Sequence, residues 1–186
     1  HWDFDRTRQE LNSIWEQRLS QVTIQTNNRN DKEKFYGALY RASFLPRTFN
    51  DVDGRYPSFS TGHPFRQSAN GRNYYEDYSM WDTYRALHPL VNILTPKKAG
   101  DMMQSLVDKY EQGGWLPIFP CWNSYTAAMI GDHCISALGD AYIKGIRNFD
   151  INKACEGMLR NAFRTPATYE EYKNGMGRRA LNSYLK

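Results

Sequence analysis

Two stretches of this chain bring useful side chains together. The first is Glu76-Asp77-Tyr78-Ser79-Met80-Trp81-Asp82-Thr83-Tyr84-Arg85. Trp81-Asp82 sets a flat ring beside a carboxylate, a pairing that suits sugars. The ring can stack on a pyranose face while the carboxylate accepts from two adjacent hydroxyls. The other reading is helix-end chemistry, in which Glu76, Asp77 or Asp82 complements the positive end of the following helix. The second stretch carries Asp132, Ser136 and Asp140 at four-residue steps, with His133 beside the first. On a helix these share one face, yet Met129, Ile130, Ile135, Ala137 and Leu138 surround them. Charge in such company needs a partner or a wet cavity. A functional pocket and a structural ion pair both answer that need.

Other chemistries find little support. There is no G-x-S-x-G elbow, no phosphate-cradling G-x-x-x-x-G-K-[ST] loop and no H-E-x-x-H pair. The histidines are His1, His63, His88 and His133, and no two have ligand spacing on a helix. Cys121, Cys134 and Cys155 form no C-x-x-C pair and read as buried free thiols. Cys134 follows His133 directly, and adjacent helical residues do not face each other, so a Cys–His nucleophile has no basis.

The elements that must carry these residues are mostly helices. Leu11, Ile14, Trp15, Leu19 and Val22 stripe a helix over 4–22, and Phe35, Tyr36, Leu39, Tyr40 and Phe44 another that ends before Pro46. Residues 46–76 then read as one long irregular loop, of the kind more often functional than idle. Helices are expected at 78–93 with an interruption at Pro89, at 97–112, 125–146 and 150–164, and short ones at 167–173 and 178–185. Thr95-Pro96 opens the helix at 97–112 and Gly113-Gly114 closes it. Val22 to Thr26 is the sole candidate strand.

Length and composition fit this picture. The chain has 186 residues, 40% hydrophobic and 24% charged, the proportions of an ordinary globular domain or a piece of one. Its net charge of +4 is spread along the chain, without the basic face of a nucleic-acid binder. No apolar run of membrane-spanning length occurs, and HWDFDRTRQE does not have the pattern of a signal peptide. The 13 Tyr, 9 Phe and 5 Trp reach 15%, and several sit near Gly and Pro rather than at core spacing. Successive helices with Gly- and Pro-rich connections imply an all-α array of hairpins. In a toroid of such hairpins, 78–93 and 125–146 would be inner helices and 97–112 an outer one with a polar stripe. Asp82 and Asp132 would then share a cavity, with Trp81 or Trp115 on its wall.

Six ordered segments also resemble glycoside hydrolase family 92, the calcium-dependent exo-acting α-mannosidases. Phe35-Tyr36-Gly37-Ala38-Leu39-Tyr40 is similar to the family's F-Y-x-A-L-Y helix, and Asp51-Val52-Asp53-Gly54-Arg55-Tyr56 to its D-x-x-G-x-Y loop. Tyr78 to Leu90, Gly113 to Pro117, Met129 to His133 and Asp140 to Gly145 follow in the same order. The resemblance implies part of an (α/α)6 toroid: residues 1–24 as a linker helix and 25–186 as the toroid's N-terminal part. It implies hydrolysis of terminal α-linked mannose, as in an α-1,2-mannosidase, by single displacement with inversion and with calcium assistance. It further implies a mannose-containing glycan as substrate, the remainder of the same enzyme as partner, and a periplasmic or secreted location.

The family's catalytic acid and base lie in E-G-N-x-W-x-Y-type and G-N-D-D-type segments, and neither occurs here. No catalytic acid or base is therefore assigned in this stretch, nor any calcium ligand. The residues expected to bind substrate are Trp81, Asp82, Trp115, Asp132 and His133. A non-catalytic carbohydrate-binding or scaffold piece and another (α/α)6 glycosidase are the alternatives.

Overall fold

Helix boundaries follow the capping chemistry of the chain. A computed structural model describes residues 2–177, and the helix expected at 178–185 lies outside the described residues. The chain forms two compact units, meeting at Phe44 and Leu45. In the first unit, α1 (Phe4–Leu19) starts where the Asp3 side chain accepts from the Arg6 amide, and α2 (Arg29–Arg41) where Asn28 accepts from Asn30. Trp15 of α1 meets Tyr40 of α2 at 4.5 Å between ring centres, so α2, expected with the following helices, packs with α1. The expected strand at 22–26 does not form. No partner strand runs beside it, and the Val22 carbonyl accepts from the Tyr36 hydroxyl.

The second unit is built around α5 (Pro96–Gly113), which opens on Pro96 and stops at Gly114, whose φ of +87° suits a residue without Cβ. Ala99, Met102, Met103, Leu106, Val107 and Tyr110 are buried, and α4 (Leu87–Leu94), α6 (His133–Ile143) and α7 (Ile151–Phe163) pack against it. The expected outer position for this helix is thus corrected: α5 is central. Its polar stripe is real but buried, and the long segment before α3 (Met80–Thr83) supplies partners. The Tyr75 amide donates to Ser105 at 3.0 Å, and Lys109 donates to the Tyr75 carbonyl at 2.7 Å.

That segment is not a bare loop. β1 (Arg47–Thr48) pairs antiparallel with β4 (Tyr75–Glu76), and β2 (Arg55–Pro57) with β3 (Phe65–Gln67). Among the described residues the fold is mostly helical with four very short strands, as expected for part of a helical toroid-like domain.

Two expected helices are shorter than their hydrophobic patterns. The one at 78–93 divides into α3 and α4, and Pro89 sits in the first turn of α4, where no backbone donor is missed. The one at 125–146 contracts to α6, because Met129 (φ +54°) and Gly131 (φ +112°) hold the chain out of helical geometry. After α7, whose first turn is capped by Asp150, comes α8 (Tyr169–Lys173) with a Thr168–Glu171 capping box. Cys121 and Cys134 are buried as expected, whereas Cys155 is exposed because it lies on the outer face of α7.

Candidate functional site

The segment from Tyr75 to Tyr84 is held by Tyr78, which is fully buried and donates its hydroxyl to the Met102 carbonyl at 2.6 Å. The Tyr78 amide bonds the Pro120 carbonyl, and Thr83 donates its hydroxyl to the Tyr78 carbonyl at 2.7 Å. Asp77 and Ser79 on either side have φ of +57° and +44°, a left-handed geometry unusual for such residues. This anchored turn presents α3 with Trp81 and Asp82 outward.

Four side chains gather there. The Trp81 ring meets His133 edge-on at 5.3 Å, and Tyr84 stacks on His133 at 4.0 Å and 13°. The Arg85 guanidinium lies over Trp81 and Tyr84 at 5.4 and 5.2 Å and donates to the Trp81 carbonyl. His133 Nε2 is buried without a hydrogen-bond partner among the described residues. Burial, with the Arg85 cation assisting, holds the His133 imidazole below its ordinary pKa. Asp82 is exposed beside this cluster, and its carboxylate makes no hydrogen bond or ion pair among the described residues. The arrangement offers an aromatic face, an imidazole and an accepting carboxylate.

The remaining expected residues lie elsewhere. Trp115 is 1% exposed, under the Arg160 guanidinium at 4.5 Å, and presents no open ring face. Asp132 precedes α6 and accepts from Asn161 at 3.4 Å, the same Asn161 that clamps both the amide and the carbonyl of Leu116. Asp132 and His133 therefore diverge, one toward α7 and the other toward α3. Asp140 is the structural pair foreseen as an option: it accepts from Asn92 at 2.8 Å and pairs with Lys144. Among the described residues no three His, Cys, Asp or Glu side chains converge.

Sequence reasoning passed over Tyr84, Arg85, Trp122 and Asn123. The first two lie three and four residues past Trp81, a helical spacing that could have flagged them. Trp122 and Asn123 have φ of +55° and +53° at the tip of a two-residue hairpin closed by Cys121 and Ser124. The Trp122 amide donates to Asp77 Oδ1 at 3.0 Å, leaving the ring 80% exposed.

A mostly helical unit thus sets an indole and a carboxylate on the anchored start of α3, with the imidazole that opens α6 beside the indole. The family described as the glycosyl hydrolase family 92 catalytic domain matches residues 1–186, and the chain belongs to that family. Among solved structures it is similar to the family GH92 alpha-mannosidase BT3965 of Bacteroides thetaiotaomicron, with 31% identity and a TM-score of 0.83 over 92% of this chain and 23% of that one. The inverting mannosidase BT2199 of the same organism shares 27% identity and a TM-score of 0.85, over 99% of this chain and 24% of that one. An uncharacterized secreted glycosidase of Arthroderma benhamiae is 23% identical over 167 residues, 87% of this chain and 17% of that protein. The chain thus spans under a quarter of these relatives' lengths. No helix among the described residues is long and apolar enough to cross a membrane.

Proposed function

We propose that this chain is part of a periplasmic or secreted α-mannosidase that removes terminal α-linked mannose, α-1,2-linked, from glycans. Hydrolysis would proceed by single displacement with inversion, and calcium would help bind and distort the sugar. The chemistry of inversion needs an acid on the leaving oxygen and a second carboxylate set back far enough to admit water. Neither is assigned to these residues, and both are expected in the remainder of the enzyme.

The role of this chain is to bind and orient the terminal sugar. Asp82 accepts from two hydroxyls of the ring, and Trp81 covers an apolar face of it. His133, kept neutral by burial, offers an acceptor or a donor without added charge. Tyr84 and Arg85 hold the imidazole and indole in place. The observation that carries this reading is the exposed Asp82 carboxylate beside the Trp81–His133–Tyr84 cluster in a GH92 chain. Turnover of 4-nitrophenyl α-mannoside by the full-length protein, with loss of turnover in chelator, tests it. Hydrolysis of a glucoside or trehalose in place of the mannoside would overturn the substrate assignment.

A further inference from the structure

A second cavity of about 330 Å³ lies between the loop that follows β2, the C-terminal end of α5 and the Trp122-Asn123 hairpin. Its volume is near the lower end of the range for small-molecule sites, roughly 300–1,000 Å³. Its lining carries hydroxyls from Ser60, Thr61 and Ser124, amides from Gln112 and Asn174, and the His63 imidazole. Among the described residues no Lys, Arg, Asp or Glu side chain lines it. An anion would want a cationic partner and a metal ion a carboxylate, so the wall suits neither. Groups that both donate and accept suit a neutral polyol, whose hydroxyls do the same. The half-buried Tyr125 ring, backed by the buried Phe59 ring at 4.6 Å, supplies the apolar surface that a pyranose also needs.

The walls are held in place before any ligand arrives. Asn123 is 6% exposed and donates from Nδ2 to the Pro57 and Ser58 carbonyls at 3.1 and 2.9 Å, while its Oδ1 is buried with no partner among the described residues. Gln112 accepts from the Phe59 amide and the Ser58 hydroxyl and donates to Tyr56. His63 stands 2.9 Å from the Ser58 carbonyl through Nδ1. Asn123 Nδ2 lies 3.2 Å from the same ring nitrogen. His63 itself holds φ of +46°, one more left-handed non-glycine residue in this wall besides Asn123. Through the hydrogen bond from the Trp122 amide to Asp77, the hairpin is tied to the turn that carries Trp81 and Asp82.

We infer that this cavity is a second sugar subsite, taking a non-terminal unit of the glycan whose terminal residue sits at Trp81 and Asp82. The inference rests on the glycosidase reading above. Its test compares an α-linked mannotriose with 4-nitrophenyl α-mannoside in the full-length protein, for His63→Ala and Thr61→Tyr. Both positions are exposed, and Thr61→Tyr fills the cavity without cutting a hydrogen bond made by the Thr61 side chain. The expected result is a fall of about 10-fold in kcat/KM for mannotriose relative to the aryl mannoside. An unchanged ratio in both variants overturns the subsite and leaves the mannosidase reading intact. A cavity filled by another part of the protein predicts a lowered Tm in Thr61→Tyr and equal losses on both substrates, which also overturns it. A wild-type protein that hydrolyses neither mannoside removes the mannosidase reading and this inference together.

Discussion

Glu76 and Asp82 stand six residues apart in one acidic, aromatic stretch, yet they live in opposite surroundings. Glu76 is 0% exposed, and Lys109 Nζ, equally buried, lies 2.7 Å from its Oε2. The two form a buried ion pair. The Lys109 ammonium also donates to the Tyr75 carbonyl and sits 4.0 Å from the Tyr74 ring centre, with the rings of Tyr78 and Phe59 near by. Burial lowers the Lys109 pKa, and Glu76 works against that shift. Asp82 faces solvent beside three rings and a guanidinium. One carboxylate joins β4 to α5, and the other is left for a ligand. Identical chemistry in sequence becomes structural or functional according to what the fold packs against it.

Removing the cation from the buried pair tests the structural half most severely. Lys109→Met leaves the Glu76 charge without a counter-ion, and a loss of about 3–5 kcal/mol is expected in denaturant unfolding. Adding Glu76→Gln to that variant should restore much of the loss, because no uncompensated charge remains. If Lys109→Met alone is as stable as wild type, the pair is not what secures β4.

Asp82→Ala is the counterpart on the functional side. It should lower kcat/KM toward an aryl α-mannoside in the full-length protein by about 3 kcal/mol or more, with Tm kept. Wild-type kinetics would reduce Asp82 to a surface charge.

A third measurement concerns the core that backs both regions. His88 is fully buried on α4 against Tyr78, and burial holds its pKa down to about 4 against 6.5 for the free group. The unfolded chain therefore binds a proton through that interval while the folded one does not. Stability should fall as pH drops from 6.5 to 4, by about 3 kcal/mol in all, and level off below. His88→Phe should remove this part of the pH slope. A slope unchanged in that variant would place the dependence elsewhere.

The smallest expected effect separates packing from binding at Trp81. It is more than a third exposed, so Trp81→Ala should cost about 1 kcal/mol or less in stability. The same change should lower kcat/KM by about 10-fold if the indole covers a sugar face. Equal losses in stability and turnover would assign Trp81 to packing alone.

Much of the fold was legible beforehand because local physics decides it. The Thr95-Pro96 start and the Gly114 stop of α5, and the cap of α7 at Asp150, depend on residues within a few positions of the helix end. Trp81 and His133 were named from residue type and resemblance, and the fold brings their rings to 5.3 Å. The inner and outer assignment of helices failed, because it read the polar stripe of α5 as a solvent face. That stripe is covered by a segment that periodicity marks as loop, and no local pattern reveals which loop folds over which helix. Trp115 and Asp132 illustrate the same limit: a glycine-rich neighbourhood suggested an open ring, and a four-residue spacing suggested a shared face.

Helix termini, apolar stripes and the order of motifs were thus written in the sequence itself, since each is settled by neighbours within one or two turns. The tertiary structure alone decided which charges are buried. It sent Glu76 to Lys109 across 33 positions, Asp132 to Asn161 across 29, and left Asp82 facing solvent. The cost of burying a carboxylate depends on partners and desolvation brought from distant segments. Those partners exist only once the chain has folded.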